Sequence, residues 1–164
     1  MRFRHEMVYD ADPATVFAML TDPEFREQVC VYQRVLRHAV RVEGTDAGLL
    51  VDVDQVQSTQ YVPAAARSFV GEEIEIEQRE TWHSPTDATL VLTTPGRPGR
   101  MDGTVTLRQR GAQTVETVSG EIKVSIPLLG GKLEQMVGHV FRLALEAEAE
   151  VGVTWLDPAE RDPG

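Results

Sequence analysis

Apolar and polar residues alternate along most of this 164-residue chain. Residues 2 to 10 place Phe3, His5, Met7 and Tyr9 on one side, with Arg2, Arg4, Glu6 and Asp10 on the other. A period of two marks a half-buried strand. The period then lengthens. Asp12-Pro13 and Asp22-Pro23 each pair an N-capping carboxylate with a proline suited to a first helical turn. The first opens a short helix with Val16, Phe17 and Leu20 on its apolar face. The second ends that helix and opens another, with Phe25, Val29, Tyr32 and Leu36 at helical spacing.

Alternation resumes at His38, Val40 and Val42, turns at Thr45 to Gly48, and continues through Leu49, Val51 and Val53, with Asp52 and Asp54 facing away. Val56 breaks the parity, which predicts a bulge or the strand's end nearby. Residues 58 to 72 interrupt the pattern in one of two ways: a short helix from Pro63 capped by Gly71, or an irregular crossing. Ile74, Ile76, Gln78, Glu80 and Trp82 then share one side of a strand whose other side is Glu73, Glu75, Glu77, Arg79 and Thr81. Leu90 and Leu92, then Met101, Val105 and Leu107, then Val118, Ile122, Val124 and Ile126 face in from three further strands, and the opposite parity of Val115 predicts a bulge near residues 116 and 117. The short turns between these segments make the sheet antiparallel, with about seven strands.

The last periodic segment is different in kind. It opens on Ile126-Pro-Leu-Leu-Gly-Gly-Lys-Leu-Glu134, with Pro127 in the first turn. Leu133, Met136, Val137, Val140, Ala144, Ala147 and Val151 then recur at helical intervals, flanked by Phe141 and Leu145. About 24 residues at 1.5 Å each reach roughly 36 Å, enough to cover the apolar face of the sheet. Gly130 and Gly131 are poor helix formers; they point either to close packing of the first turn or to a gap for a ligand or hinge. The expectation is therefore an α+β fold: one domain over residues 1–155, with a curved antiparallel sheet around a long C-terminal helix and a loose tail over 156–164.

Composition narrows the function. At 41% hydrophobic and 26% charged the chain is ordinary for a globular protein, and its net charge of −10 opposes binding to nucleic acid. Arg97, Arg100, Arg108 and Arg110 read as a solvated hairpin edge. Cys30 is alone, so no internal disulfide forms, and it reads as a packing residue. The first ten residues lack a signal-peptide core and no window approaches a membrane span, so the expected setting is the cytoplasm. His5, His38, His83 and His139 show no metal-ligand spacing; no GxSxG elbow, GxGxxG or phosphate loop occurs, so neither metal nor cofactor is expected.

Glu80 shares the inward parity of Ile76 and Trp82. A buried carboxylate must be paired, hydrated or neutral. It is either a strand-end group that reaches solvent or a neighbour, or a polar handle at the wall of a cavity.

The order strand, two short helices, antiparallel strands and long helix, with Asp12-Pro-Ala-Thr-Val-Phe17, the Ile126–Glu134 entry and Trp82, resembles the START-like (SRPBCC, helix-grip) superfamily of lipid-transfer, pollen-allergen and polyketide cyclase-like proteins. Within it the chain looks most like a bacterial domain-of-unknown-function family common in actinobacteria. The resemblance implies a cavity between the sheet and the last helix, with residues 58–72 near its mouth. Candidate cavity residues are His5, Met7, Tyr61, Phe69, Ile76, Gln78, Glu80, Trp82, Leu107, Met136 and Val140, with Tyr61 and Phe69 as lid residues; no catalytic residue is carried over. The leading expectation is binding or transport of a small hydrophobic molecule such as a lipid, isoprenoid or polyketide. A cyclase or dehydratase using Glu80 or His5 as acid/base, and a protein-partner module, are the alternatives.

Overall fold

The computed structural model describes residues 1–60 and 62–161. The elements run β1 (Arg2–Tyr9), α1 (Pro13–Leu20), α2 (Pro23–Tyr32), β2 (Arg37–Thr45), β3 (Gly48–Ser58), α3 (Ala64–Val70), β4 (Glu73–Ser84), β5 (Asp87–Thr93), β6 (Gly99–Arg110), β7 (Gln113–Val124), α4 (Gly130–Leu156) and α5 (Pro158–Arg161). Both Asp-Pro starts form as the capping chemistry requires. Asp12 Oδ1 accepts from the Thr15 amide and Asp22 Oδ1 from the Glu24 amide, each at 2.8 Å. The interrupted stretch takes the helical alternative, with Gly71 closing α3 at a φ of +76°.

All seven strands are antiparallel in one sheet of order β1-β7-β6-β5-β4-β3-β2, which puts the first two strands in sequence at opposite edges. The sheet curves around α4, and α1 and α2 cross between its edges in the START-like, helix-grip arrangement. Phe3, Met7 and Tyr9 of β1, Val118 and Ile122 of β7, Met101, Val105 and Leu107 of β6, and Leu90 of β5 form the buried inner face. Phe3 packs on Phe141 of α4, and Phe17 meets Trp82 edge-on. Among the described residues no helix is long and apolar enough to cross a membrane.

Four local expectations fail. α2 ends at Tyr32, and Arg34 in left-handed backbone turns the chain so that Leu36 is exposed. β7 pairs in unbroken register past residues 116 and 117, and the register shift lies instead between Trp82 and Ser84, whereas β3 ends at Ser58, close to Val56 as one expected alternative had it. α4 starts at Gly130 rather than Pro127, because Leu128 is itself left-handed (φ 68°) and interrupts any helix there. The face of α4 that is fully buried runs through Leu133, Gly138, Leu145, Glu148 and Gly152, leaving Val137 and Val140 exposed.

Two glycines of α4 answer the question of packing. A Cβ on Gly130 would stand 2.6 Å from the Val124 carbonyl oxygen, so the helix leaves β7 at backbone contact. A Cβ on Gly152 would stand 2.7 Å from the Tyr9 ring, so this glycine admits a buried tyrosine beneath the helix. Gly131 has open space around it.

Candidate functional site

The sheet and α4 do not close on each other completely. A cavity of about 330 Å³ lies between the concave face and the helix, opening to solvent. Along α4 its wall runs from Met136 to Glu148, about 18 Å at 1.5 Å per residue. α2 supplies Arg26, Val29, Cys30 and Gln33; β3 and β4 supply Val53, Gln55, Ile74, Ile76 and Gln78. Most of the lining is aliphatic. The exposure of Val137 and Val140 and the burial of Glu148 orient the space: it opens toward the N-terminal half of α4 and is closed near Arg26 and Glu148. Thr59, Val62 and Val70 flank the opening, where the Thr59 hydroxyl donates to the Gly71 carbonyl and Arg97 donates to the Phe69 carbonyl.

At the closed end an ionic cluster lies almost wholly out of water. Arg26 on α2 is 3% exposed; its Nε donates to the Leu20 carbonyl at 2.7 Å, Nη2 to Glu80 Oε2 at 2.8 Å, and Nη1 to Glu148 Oε2 at 3.4 Å. Glu80 also accepts from Trp82 Nε1 at 3.0 Å and from Gln78 Nε2 at 2.9 Å. Glu116 of β7 and the Tyr9 hydroxyl complete the group. The phenol and the carboxyl are near enough to interact with each other. One guanidinium thus faces three buried carboxyl groups.

Burial and neighbouring charge shift the titration of these groups. Desolvation, then repulsion from Glu148 and Glu80, holds the Glu116 carboxyl well above its ordinary range. Burial also raises Glu148, against the opposing pull of Arg26. Burial alone would lower the Arg26 pKa, but Glu80 and Glu148 outweigh it and keep the guanidinium charged. Tyr9 is raised well above its usual value, first by burial and then by Glu116 and Glu148. Cys30, on the wall, is pushed up to about 11 by burial, which leaves its thiol protonated at neutral pH.

Of the residues nominated from sequence, Ile76, Gln78, Met136 and Val140 line the cavity. Met7, Trp82 and Leu107 lie on the same concave face but in the packed core, because α1 and the C-terminal half of α4 fill that end of the sheet. Glu80 sits at the boundary between the two regions, tied to Arg26 and behind the Gln78 side chain rather than on the wall. His5 is half-buried beside Arg142 at 3.5 Å, away from the cavity, and Phe69 is exposed on α3. Tyr61 lies outside the described residues, as does the end of the expected tail, 162–164.

Sequence reading missed Arg26, Glu116 and Glu148. Two signals were available. Glu116 has the inward parity of Val118 and Ile122, and the bulge expected at 116–117 concealed it. Glu148 follows Ala144 by four and Leu145 by three, which places it on the apolar arc of α4. Among the described residues no group of three His, Cys, Asp or Glu side chains could hold a metal ion.

Comparison with known proteins agrees with this architecture. A family model described as "Protein of unknown function (DUF2505)" matches residues 4–156. No curated protein matches the chain. Among solved structures, the Zhui aromatase/cyclase from Streptomyces sp. R1128 is similar at 13% identity and a TM-score of 0.64, over 100% of this chain and 98% of that one. A START superfamily protein from Mycobacterium smegmatis is similar at 13% identity and TM-score 0.62, covering 95% and 99%. The protein TTHA0849 from Thermus thermophilus reaches 16% identity and TM-score 0.65, covering 96% and 100%.

Proposed function

We propose that this chain, which belongs to the DUF2505 family, binds a small hydrophobic molecule in the cavity between its sheet and α4 and carries it in the cytoplasm. The observation that carries this reading is the cavity itself: about 330 Å³ of mostly aliphatic wall, open at one end, with Arg26 and Glu148 at the other. That combination suits a ligand with an apolar body and one oriented polar end. START-superfamily and aromatase/cyclase structures share the fold, which supports a ligand-holding architecture and leaves the guest to the chemistry of the wall.

Native mass spectrometry of protein purified without detergent is the direct test. The expected outcome is a co-purified guest, or uptake of an added apolar fluorophore. Ala144 lies on the wall, so Ala144→Phe should fill the space and abolish uptake while the protein still unfolds cooperatively. Uptake unchanged in Ala144→Phe would remove the reading.

A second reading rests on Glu148. A carboxyl on the cavity wall, held by burial toward its protonated form, is what a general acid in a cyclase or dehydratase requires. In that case the guest recovered from wild type would be dehydrated or cyclised product, and Glu148→Gln would retain unreacted guest. The same molecule in both would leave the carrier reading alone.

A further inference from the structure

The cavity has two unlike long sides. On one, β3 sends Gln55 and Gln57 inward, and β4 adds Gln78, which pairs across from Val53. Counted from the Arg26 and Glu148 end, Gln78 comes first, level with Val53, then Gln55, then Gln57, with Ser58 and Thr59 at the mouth. Alternate residues of a strand stand about 7 Å apart, so these amides follow one edge of the space from its closed end to its opening. Gln33, at the end of α2, adds a fourth on the same side, where α2 packs beside β2. All four side chains are half-buried.

The opposite side is apolar. Leu92 of β5, Met101 of β6 and Ile122 of β7 form its floor, and Met136, Val140 and Phe141 of α4 cover it. The polar side chains there are committed elsewhere: Thr93 donates to Glu77, Thr94 donates to the Gly99 carbonyl, and Arg100 makes a two-pronged pair with Asp102. The amides are held more lightly. Gln57 Nε2 donates to Gln55 Oε1 at 2.8 Å, Gln55 Nε2 to Cys30 Sγ at 3.7 Å, Gln78 Nε2 to Glu80 Oε1 at 2.9 Å, and Gln33 Nε2 to the Ala144 carbonyl at 3.0 Å. That uses one N–H of each. The second N–H of all four, and the oxygens of Gln33, Gln57 and Gln78, have no partner among the described residues. The strip can therefore meet a donor or an acceptor equally well. What it opposes is hydrocarbon, because an apolar surface laid along it displaces water from the amides and returns no hydrogen bond.

From this we infer that the guest is polar along one edge as well as at one end: a ring system holding several oxygen or nitrogen atoms on a single long side, rather than an acyl chain whose polar atoms are confined to its tip. Rings fix those atoms on one side before binding, so little freedom is lost in presenting them to the strip. The inference rests on the cavity being a ligand site and specifies how polarity is distributed on what that site takes.

Two isomers isolate this property. 2,7-Dihydroxynaphthalene carries both hydroxyls on one long side; 2,6-dihydroxynaphthalene carries them on opposite sides, with the same formula and the same donors and acceptors. 2-Methylnaphthalene, with no heteroatom, reports the apolar space alone. Each is titrated into the full chain at neutral pH and followed by amide chemical shifts. The 2,7 isomer should bind about tenfold more tightly, because the 2,6 isomer must turn one hydroxyl onto the apolar side. Gln55→Leu/Gln57→Leu should bring the two isomers level and should bind 2-methylnaphthalene more tightly than wild type does. Equal affinity for the isomers in wild type, or a preference that survives in the double variant, overturns the assignment while leaving the ligand site intact. Failure of all three probes to bind overturns the ligand site and the assignment together.

Discussion

Replacing Arg26 by Met keeps most of the side-chain volume and removes the one cation that the described residues place in the buried cluster of Glu80, Glu116 and Glu148. Arg26 is 3% exposed, and two of its three hydrogen bonds go to carboxylates. Charge-assisted hydrogen bonds contribute about 1.5–3 kcal/mol each, and removing one partner of a buried ionic set costs about 3–5 kcal/mol because it strands the others. The two routes overlap, so Arg26→Met should lose about 3–5 kcal/mol at pH 7, a large share of the 5–15 kcal/mol that holds a typical domain. Urea unfolding followed by the fluorescence of Trp82 and Trp155 reads this directly. With a denaturant slope of about 2 kcal/mol per molar, the midpoint should fall by roughly 1.5–2.5 M. If the variant does not fold, the companion variant Arg26→Met/Glu80→Gln/Glu148→Gln should, since it removes the stranded charges with their counter-ion. A loss below about 1 kcal/mol, or no recovery in the companion, would refute the claim that the cluster is buried and mutually neutralised.

Other outcomes follow from the same geometry. Glu116 carries a carboxyl raised above its unfolded value of 4.5, so the fold holds a proton that the unfolded chain has released; its contribution is complete below that value and is lost as pH rises toward the folded one. Glu116→Gln should therefore gain stability over wild type at pH 8, with the difference shrinking toward pH 5, as unfolding midpoints across pH will show; a difference constant with pH contradicts it. Gly131→Ala, in open space, should stabilise by up to about 1 kcal/mol through helix propensity, whereas Gly130→Ala, with its Cβ against the Val124 carbonyl, should destabilise by about 1–3 kcal/mol; thermal unfolding compares them. Cys30, pushed up to about 11 from 9.0, should react with iodoacetamide at neutral pH about a hundredfold more slowly than an ordinary cysteine, through its smaller thiolate fraction alone. A rate near that of a free thiol would show that the wall around it is wet.

The strand faces, the two Asp-Pro helices and the covering helix were legible because each follows from local periodicity and capping chemistry. The cavity was legible from the residues as one alternative, at Gly130-Gly131 and Glu80, and was placed between sheet and helix by the resemblance. Period two told that Ile76, Gln78, Glu80 and Trp82 share a face; it could not tell that α1 fills the Trp82 end and leaves the Ile76 end open, since that depends on where a distant helix lands. The ionic cluster joins α2, β4, β7 and α4, four segments far apart in sequence, and no single window contains a charge pair that announces it. Parity did carry the hint for Glu116. Taking the opposite parity of Val115 as the sign of a bulge, when the strand runs on in register, hid it.

The strand order has a consequence for how the molecule is made. β1 sits at the edge beside β7, with Arg2 opposite Glu121. On a ribosome adding about 5–20 residues per second, the first strand waits on the order of ten seconds for its neighbour to emerge. Throughout that interval Phe3, Met7 and Tyr9 have no sheet to join. Assembly of this edge must wait until β7 has emerged, and a nascent chain stalled before residue 113 should be a target for chaperones rather than a half-built version of the fold.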